Sequence, residues 1–394
     1  MTRTTETYDA IVVGLGAIGA AALYQLARRG ARVLGLDQFS PPHARGSSHG
    51  ETRITRLAIG EGRHYVPLAM RSHEIWRELE VATGEDLLTV TGGLFFAGEG
   101  PSSPAHGATD FIGETVAAAE QFGIEHQVLD AAEIARRYPQ FGLRGGERGY
   151  WEREAGFVRP ERCIAAQLDQ AEKFGAEVLR HTPVVELAST TGTTLRVATH
   201  DVEYAARQVV LCAGAWVRRF LPVKLHELFT VYRQLLFWFE VAGDPTRFES
   251  PHFPVFIRTS HTREDLVYGF PAIDGARGGI KIAYEQYPHP FDPDLPLQPP
   301  SDAERRHMHD LAARFLPIGP HCLRATACLF TVTPDGEFVI DRHPEQPGVL
   351  IASPCSGHGF KHSAALGEML AELVLDGESR YDRSHFELGR FGVS

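Results

Sequence analysis

Cysteine is scarce in this sequence, and long apolar runs are missing. The 394 residues include five cysteines, an odd number without the spacing of a disulfide framework or a zinc site. Apolar stretches such as residues 11–13 are far shorter than the roughly 20 residues that a membrane-spanning helix needs. No secretory leader is recognisable in the first residues. We therefore expect a cytoplasmic protein with reduced thiols and without a membrane span.

Blocks of positive charge are also missing. Acidic side chains number 50 against 39 basic ones, and the net charge is −11, which excludes the electrostatic footprint of a nucleic-acid-binding protein. The histidines in "HMH", residues 307–309, lie in an amphipathic helical stretch and have no zinc-like partners. No hydrolase elbow of the G-x-S-x-G type is present. We expect a small-molecule partner, no nucleic acid and no metal.

A glycine-rich motif lies near the N-terminus. In "YDAIVVGLGAIGAAALYQLARRGARVLGLD", residues 8–37, an apolar strand precedes Gly14-x-Gly16-x-x-Gly19, a helical run follows, and a second strand ends at Asp37. Glycines at this spacing allow a tight turn and bring the backbone close to a pyrophosphate at the helix N-terminus. The acid about 20 residues further on accepts from ribose hydroxyls. The motif predicts a Rossmann-type dinucleotide-binding unit, and it fits both NAD(P) and FAD.

Later segments indicate how this unit is completed. Residues 207–216 and 348–377 combine buried-strand patterns with glycines, whereas the stretches between them are rich in aromatic residues, proline and alternating strand patterns. The length allows two domains. We predict an α/β fold with a discontinuous Rossmann-type nucleotide-binding domain and an inserted antiparallel-sheet substrate domain of α+β character. The ranges are 1–89, 151–221 and 323–394 for the first domain and 90–150 and 222–322 for the second.

Four segments resemble the FAD-dependent amine oxidases of the monomeric sarcosine oxidase and N-methyltryptophan oxidase family. They are "PPHARGSSHGETRITRLAIGEGRHYVPLA" (41–69), "YGFPAIDGARGGIKIAY" (268–284), "ACLFTVTPDGEFVID" (327–341) and "SGHGFKHSAALGE" (356–368). The resemblance extends over nearly the whole chain. It implies that the first domain binds FAD and that the protein oxidises a CH–NH bond of secondary (N-methyl) amino acids such as sarcosine or N-methyltryptophan. In that reaction a hydride passes to flavin N5, the imine is hydrolysed, and O2 is reduced to H2O2.

Other functions stay open. Within the enzymes they are an oxidase or dehydrogenase of other amines, such as pipecolate- or proline-like imino acids, glycine or fructosyl amino acids, and a flavin monooxygenase that needs NAD(P)H. A non-catalytic flavin-binding protein is the alternative from another class. The prediction of three cations around a flavin argues against a protein that binds flavin without turnover. These cations are Lys281, Arg56 and Lys361. We expect a monomer or a weak homo-oligomer.

The resemblance implies a covalent flavin. In the family, a cysteine in the position of Cys328 bonds its sulfur to the 8α-methyl of FAD, and a thiolate is the nucleophile that such attachment needs. The alternative is a cysteine buried as a small apolar side chain. Cys322 lacks the matching context. The complete set of implied cofactor contacts is Gly14, Gly16, Ile18, Gly19, Asp37, Ser48, His49, Arg53, Ala213, Gly214, Cys328, Gly357, Gly359 and Lys361.

The resemblance also implies a substrate site. Arg56 and Lys361 match the family's carboxylate-binding pair, and a guanidinium offers paired donors in the plane of a carboxylate. Lys281 matches the lysine that serves the reaction with O2, where a buried ammonium stabilises developing negative charge. Alternatives for these residues are solvated or ion-paired side chains.

Further members of the predicted site are less specific. Arg53 and His49 are implied near the flavin, Tyr268 resembles the aromatic residue that borders the substrate, and Glu61 resembles an active-site acid; each has an ordinary core or surface alternative. The sequence departs from sarcosine oxidases at Glu285, where they carry a histidine that contacts the substrate. We assign Glu285 to substrate binding, and an anion there leaves the substrate's identity open.

Overall fold

The computed structural model describes residues 7–98, 110–190, 194–259, 266–275 and 277–393. The predicted domain ranges also include residues 1–6, 99–109, 191–193, 260–265, 276 and 394, which lie outside the described residues. The helices are α1 (Ala17–Arg28), α2 (Val66–Thr83), α3 (Phe111–Phe122), α4 (Ala131–Arg137), α5 (Pro160–Lys173), α6 (Asp302–Ala312) and α7 (Ser363–Leu375). The strands are β1 (Tyr8–Val13), β2 (Val33–Leu36), β3 (Arg53–Thr55), β4 (Leu88–Val90), β5 (Gly93–Ala97), β6 (His126–Asp130), β7 (Arg148–Glu152), β8 (Gly156–Val158), β9 (Glu177–Leu179), β10 (Val184–Ser189), β11 (Leu195–Thr199), β12 (Glu203–Leu211), β13 (Thr230–Val241), β14 (Val255–Thr259), β15 (Val267–Gly269), β16 (Ile280–Tyr284), β17 (Ile318–Val332), β18 (Val339–His343) and β19 (Gln346–Ser353).

The first sheet is the predicted nucleotide-binding sheet. Its parallel strands run in the order β19, β12, β1, β2, β9, and β10, β11 and β18 add antiparallel neighbours. Because helices cover such a sheet, its central strands are largely apolar, as in the nearly fully buried β1 and β2. Helix α1 packs between α5 and α7, and its many alanines permit that close approach. The carboxyl ends of β1, β2, β12 and β19 lie at one edge, where ligands bind in this fold class.

The second sheet forms the other half of the molecule. Its order is β17-β13-β16-β15-β14-β5-β7-β6, and every neighbouring pair is antiparallel except β5 and β14. Two predicted domain boundaries, 150/151 and 322/323, fall inside β7 and β17, which both pair in this sheet. The domain ranges stay a prediction.

A small third sheet carries a predicted site residue, Arg53, and ends next to another, Arg56. Strand β8 pairs with both β3 and β4, and a side chain at Gly156 of β8 would meet the Thr89 backbone oxygen at 2.0 Å. On its other side, β8 pairs with β3, which carries Arg53 and leads directly into Arg56. Two predicted site residues are therefore set on one short, rigid segment.

Among the helices of the described residues, none combines the length and the apolar character that crossing a bilayer demands. The same residues bring together no group of three or more His, Cys, Asp or Glu side chains that could hold a metal ion.

Candidate active site

A cleft at the carboxyl edge of the first sheet encloses about 1370 Å³, including its open mouth. Its walls bring together most of the predicted cofactor contacts, which come from five separate parts of the chain. These are Gly14, Gly16, Ile18, Asp37, Ser48, Arg53, Ala213, Gly214, Gly357 and Gly359. The remaining predicted contacts, Gly19, His49, Cys328 and Lys361, do not line this cleft.

The glycine motif has the geometry of a phosphate-binding turn. Gly14 has a φ of +87°, and a side chain at Gly19 would meet the Gly14 oxygen at 1.8 Å, so both positions require glycine. Helix α1 begins after Gly16 without a side-chain cap, which leaves its first N–H groups to a ligand. The residues present therefore fit the diphosphate of a dinucleotide.

Asp37 fixes the same turn. One of its carboxylate oxygens accepts from the Leu15 N–H and the other from the Phe39 N–H, both at 2.7 Å. Each oxygen keeps a lone pair for a ribose hydroxyl in the cleft. Phe39 also lines the cleft, and its ring meets Trp216 edge to face at 5.6 Å. We did not predict these two aromatic residues, although Phe39 lies only two positions beyond the acid.

A smaller cavity of about 690 Å³ adjoins the cleft. Arg53, Phe330, Gly357 and Phe360 line both spaces, so the two are continuous. The predicted substrate residues Arg56, Glu61, Tyr268, Glu285 and Lys361 all line the smaller cavity. Its remaining walls are largely apolar, as is usual for a small-molecule site with a few placed polar groups.

A buried cluster of three charges forms one side of this cavity. Arg56 donates to one oxygen of Glu61, and the Lys361 ammonium donates to the other at 3.3 Å and to the His358 carbonyl at 2.9 Å. The Arg56 guanidinium lies 4.8 Å from the ring centres of Phe95 and Phe111. Two cations against one anion give the cluster a net positive charge.

Burial affects the two cations in different ways. Arg56 is 1 % exposed, and within the described residues its Nε and one terminal nitrogen have no partner. Burial lowers the pKa of Lys361 to about 8, against the opposing effect of Glu61. Such unsatisfied buried donors are costly unless a ligand completes them.

Lys281 lies in β16 behind the two spaces and lines neither. Its ammonium donates to the carbonyls of Gly50 and Thr52, both at 2.7 Å, and to the Thr52 hydroxyl at 3.1 Å. It also lies 4.5 Å from the Phe270 ring centre. Burial and the neighbouring Arg53 charge lower its pKa well below the usual value. The sequence prediction did not include the turn that holds it.

His49 and Arg53 lie next to Lys281. Burial first, and then the charges of Arg53 and Lys281, lower the pKa of His49 to about 3, so its imidazole is neutral at pH 7. Arg53 donates to the carbonyls of Ser47 at 2.7 Å and Thr52 at 2.8 Å. The guanidinium is thereby fixed where the cleft and the smaller cavity meet.

Cys328 is 1 % exposed in β17 and packs in a cluster that includes Trp238 and Phe330. Burial raises the pKa of its thiol, while the positive charges of Arg53 and Lys281 act in the opposite direction. Two other cysteines, Cys212 and Cys355, line the cleft, and the sulfur of Cys355 accepts from the Thr331 N–H at 3.4 Å. We did not predict a site role for Cys355, although it immediately precedes the "SGHGFK" segment.

Tyr268 and Glu285 complete the smaller cavity. Tyr268 lies in β15 with its ring edge-on to Phe270 at 6.2 Å, and burial raises the pKa of its phenol. Glu285 is 5 % exposed and accepts from the Tyr287 hydroxyl at 2.9 Å. Each of the five predicted substrate residues therefore lies on the cavity wall.

Comparison with known proteins agrees with this geometry. The family model described as FAD dependent oxidoreductase matches residues 9–373. Monomeric sarcosine oxidase of Streptomyces avermitilis is 38 % identical over 392 residues, with 99 % of each chain covered. N-methyl-L-tryptophan oxidase of Yersinia pestis is 33 % identical over 390 residues, which is 98 % of this chain and 99 % of the relative.

A solved structure extends the comparison to the fold. NikD, described as an unusual amino acid oxidase essential for nikkomycin biosynthesis, has a TM-score of 0.81 at 23 % identity, with 97 % of this chain and 98 % of that chain covered. At that identity the likeness shows the fold alone. From the matched family model, the near full-length relatives and the dinucleotide cleft, we conclude that the chain belongs to the FAD dependent oxidoreductase family.

Proposed function

We propose that the protein is an FAD-dependent oxidase of secondary amino acids, with N-methylated amino acids as its substrate class. The observation that carries the proposal is the buried pair of cations, Arg56 and Lys361, in a cavity continuous with the dinucleotide cleft. The relatives named monomeric sarcosine oxidase and N-methyl-L-tryptophan oxidase support the substrate class.

In this proposal the cations bind the substrate carboxylate. The unpartnered Nε and terminal nitrogen of Arg56 leave N–H donors for a carboxylate, and a planar guanidinium matches carboxylate geometry better than an ammonium does. Lys361 adds a second positive charge. Glu61 holds both side chains in place before the substrate arrives, so little ordering is left to occur on binding.

The apolar walls orient the rest of the substrate. Tyr268, Ile257 and Leu266 line the cavity and exclude water from the C–H and C–N bonds that react. When bound, FAD supplies the acceptor for the hydride and the route of electrons to O2. The protein's own contribution is therefore position, charge and a dry environment.

We assign Lys281 to the reaction with O2. Its charge is buried beside Arg53 and fixed by three hydrogen bonds, and a preorganised positive charge stabilises negative charge that develops on oxygen in a water-poor site. We also propose Cys328 as the covalent FAD anchor through its sulfur. Burial raises the pKa of this thiol, and the nearby charges of Arg53 and Lys281 oppose that effect in favour of the thiolate form that attachment needs.

An anaerobic substrate screen tests the proposal. Purified yellow protein is mixed with sarcosine, N-methyl-L-tryptophan, L-pipecolate, L-proline, glycine and a fructosyl amino acid, and loss of flavin absorbance is followed. We expect bleaching by an N-methyl amino acid and, in air, hydrogen peroxide in proportion to substrate. Bleaching by NADPH without an amine would indicate a monooxygenase instead. A spectrum that ignores every amine and NADPH would indicate a flavin-binding protein without turnover.

A further inference from the structure

We propose that Glu161 is a positioning residue for Lys281 and that it acts through the turn of residues 50–52. The inference rests on the proposed function, in which Lys281 serves the reaction with O2. Glu161 lies in the first turn of α5, and it neither lines the smaller cavity nor contacts the Lys281 ammonium directly.

The turn provides the hydrogen-bond acceptors that hold the Lys281 ammonium, beside its contact with the Phe270 ring. Within the described residues, the hydrogen bonds of this ammonium go to two carbonyls and one hydroxyl of the turn, and none goes to a carboxylate. An ammonium has three donors, so the turn uses all of them. Any movement of the Gly50 and Thr52 carbonyls therefore moves the charge.

The backbone of this turn is locally unfavourable. Gly50 has a φ of +96° and Glu51 a φ of +70°, and the left-handed region is disfavoured for a residue with a side chain such as glutamate. A contact from elsewhere in the protein has to hold this conformation. The Thr52 N–H donates to the Gly50 carbonyl at 2.8 Å, but that bond lies within the turn itself.

Arg324 forms an ion pair with the Glu51 side chain, and Glu161 supplies the external contact to the backbone N–H groups of the turn. One of its oxygens accepts from the Gly50 N–H at 2.6 Å, and both oxygens lie 3.2 Å from the Glu51 nitrogen. Hydrogen bonds from backbone N–H groups to a carboxylate are among the stronger ones in proteins. The carboxylate therefore fixes the two peptide units that lead into Thr52.

One peptide unit lies between the two charges. The N–H of Glu51 points at the Glu161 carboxylate, and the carbonyl of the same unit, on Gly50, points at the Lys281 ammonium. In a planar trans peptide these two groups point in opposite directions, so the peptide dipole is aligned with both charges and is polarised by both. Glu161 is also among the groups that favour the charged form of Lys281, against burial and Arg53.

The role of Glu161 is tested by measuring flavin reduction and flavin reoxidation separately, with the flavin-loaded full chain. Stopped-flow measurements give the rate of flavin reduction by the best amine without O2 and the rate of reoxidation by O2. The variants are Glu161→Gln, Lys281→Met as the reference, and Asp169→Asn as a matched control, because Asp169 is an exposed acid on the same helix. Glu161→Asp is the second variant, should Glu161→Gln not retain flavin.

We expect Glu161→Gln to slow reoxidation about tenfold, which corresponds to about 1.4 kcal/mol, and to leave reduction within about twofold of the wild type. As the pH is raised, the reoxidation rate of this variant should begin to fall at a lower pH than that of the wild type. The reason is that Lys281 loses its proton more readily without the Glu161 carboxylate. Glu161→Asp should slow reoxidation less, and Asp169→Asn should change neither half-reaction.

The outcomes separate the inference from the proposed function. Suppose that Lys281→Met reoxidises slowly while Glu161→Gln reoxidises at the normal rate. This result would overturn the role of Glu161 and leave that of Lys281 intact. The same holds for Glu161→Asp if that variant is the one measured. Equal losses in both half-reactions would also overturn it, because they indicate general disorder of the site. Normal reoxidation in Lys281→Met would remove the O2 role of Lys281 and the inference with it. Failure of every amine to reduce the wild-type flavin would instead overturn the proposed function.

Discussion

Arg56 donates to Glu61 through one terminal nitrogen, while its Nε and other terminal nitrogen are buried without a partner in the described part of the chain. The guanidinium is therefore held in place with two donors left for a ligand. A buried cation with free donors is expensive for the empty protein. Such an arrangement is understandable where a substrate anion completes it.

Replacing Arg56 by lysine should weaken the binding of amino acid substrates strongly. Lys retains the charge but loses the paired donors, and we expect KM to rise by roughly 10- to 100-fold, equivalent to about 1.4 to 2.8 kcal/mol. Steady-state kinetics with the best N-methyl amino acid measure this. Arg63→Lys, at a half-exposed arginine nearby, is the control and should leave KM unchanged. An unaltered KM in Arg56→Lys would remove Arg56 from the carboxylate site.

The covalent flavin prediction distinguishes two thiols. Acid-precipitated wild-type protein and Cys355→Ser should stay yellow, whereas Cys328→Ser should release its flavin into the supernatant, because Cys328 lies beside both Arg53 and Lys281. Absorbance of pellet and supernatant is the measurement. Yellow pellets from Cys328→Ser with a colourless Cys355→Ser pellet would assign the attachment to Cys355 on the cleft wall.

Lys361 should make carboxylate binding depend on pH. With its pKa lowered to about 8 by burial, its ammonium is charged below that pH and neutral above it. Butyrate is a suitable probe because it has no amine that titrates. Its inhibition constant should be unchanged below about pH 7 and rise by roughly tenfold above pH 8. It should then level off, since Arg56 stays charged. Lys361→Met should bind butyrate weakly at every pH. A wild-type profile that is flat between about pH 6 and 10 would contradict this role.

Glu285 should influence the protonation of the substrate amine. A carboxylate near the amine stabilises the ammonium form, which cannot lose a hydride, so Glu285→Gln should lower the apparent pKa of the reduction rate by about one unit. The pH profile of anaerobic flavin reduction measures the change. Glu378→Gln, at an exposed acid, is the control. Superimposable profiles for wild type and Glu285→Gln would show that this carboxylate does not act on the amine.

Some of the molecule could be predicted because the information is local. The glycines of the N-terminal motif, the acid that follows them and the strands around them are close in sequence, and their backbone conformations depend on immediate neighbours. The sequence also predicted that Arg56, Glu61, Tyr268, Glu285 and Lys361 share a site, through the resemblance of the segments that carry them. They all line the smaller cavity, while their individual roles stay predictions.

Other relationships could not be predicted because they depend on long-range packing. The register of β17 against β13 pairs Cys328 with Gln234, and this cysteine does not line the cleft, whereas Cys212 and Cys355 do. The role proposed for Glu161 could not be predicted from the sequence. Its carboxylate accepts hydrogen bonds from the backbone N–H groups of Gly50 and Glu51, which are 111 and 110 residues away. A one-residue change in register would alter which side chain faces the cleft.

The sequence by itself determined the cofactor class and the residue types of the site, because a phosphate-binding turn and a guanidinium have fixed chemistry wherever they occur. Only the tertiary structure decided which charges meet. It brings Lys361 to Glu61 across 300 residues and Lys281 to Gly50 across 231. Burial then changes the protonation of these groups, since desolvation exists only once the chain has packed around them.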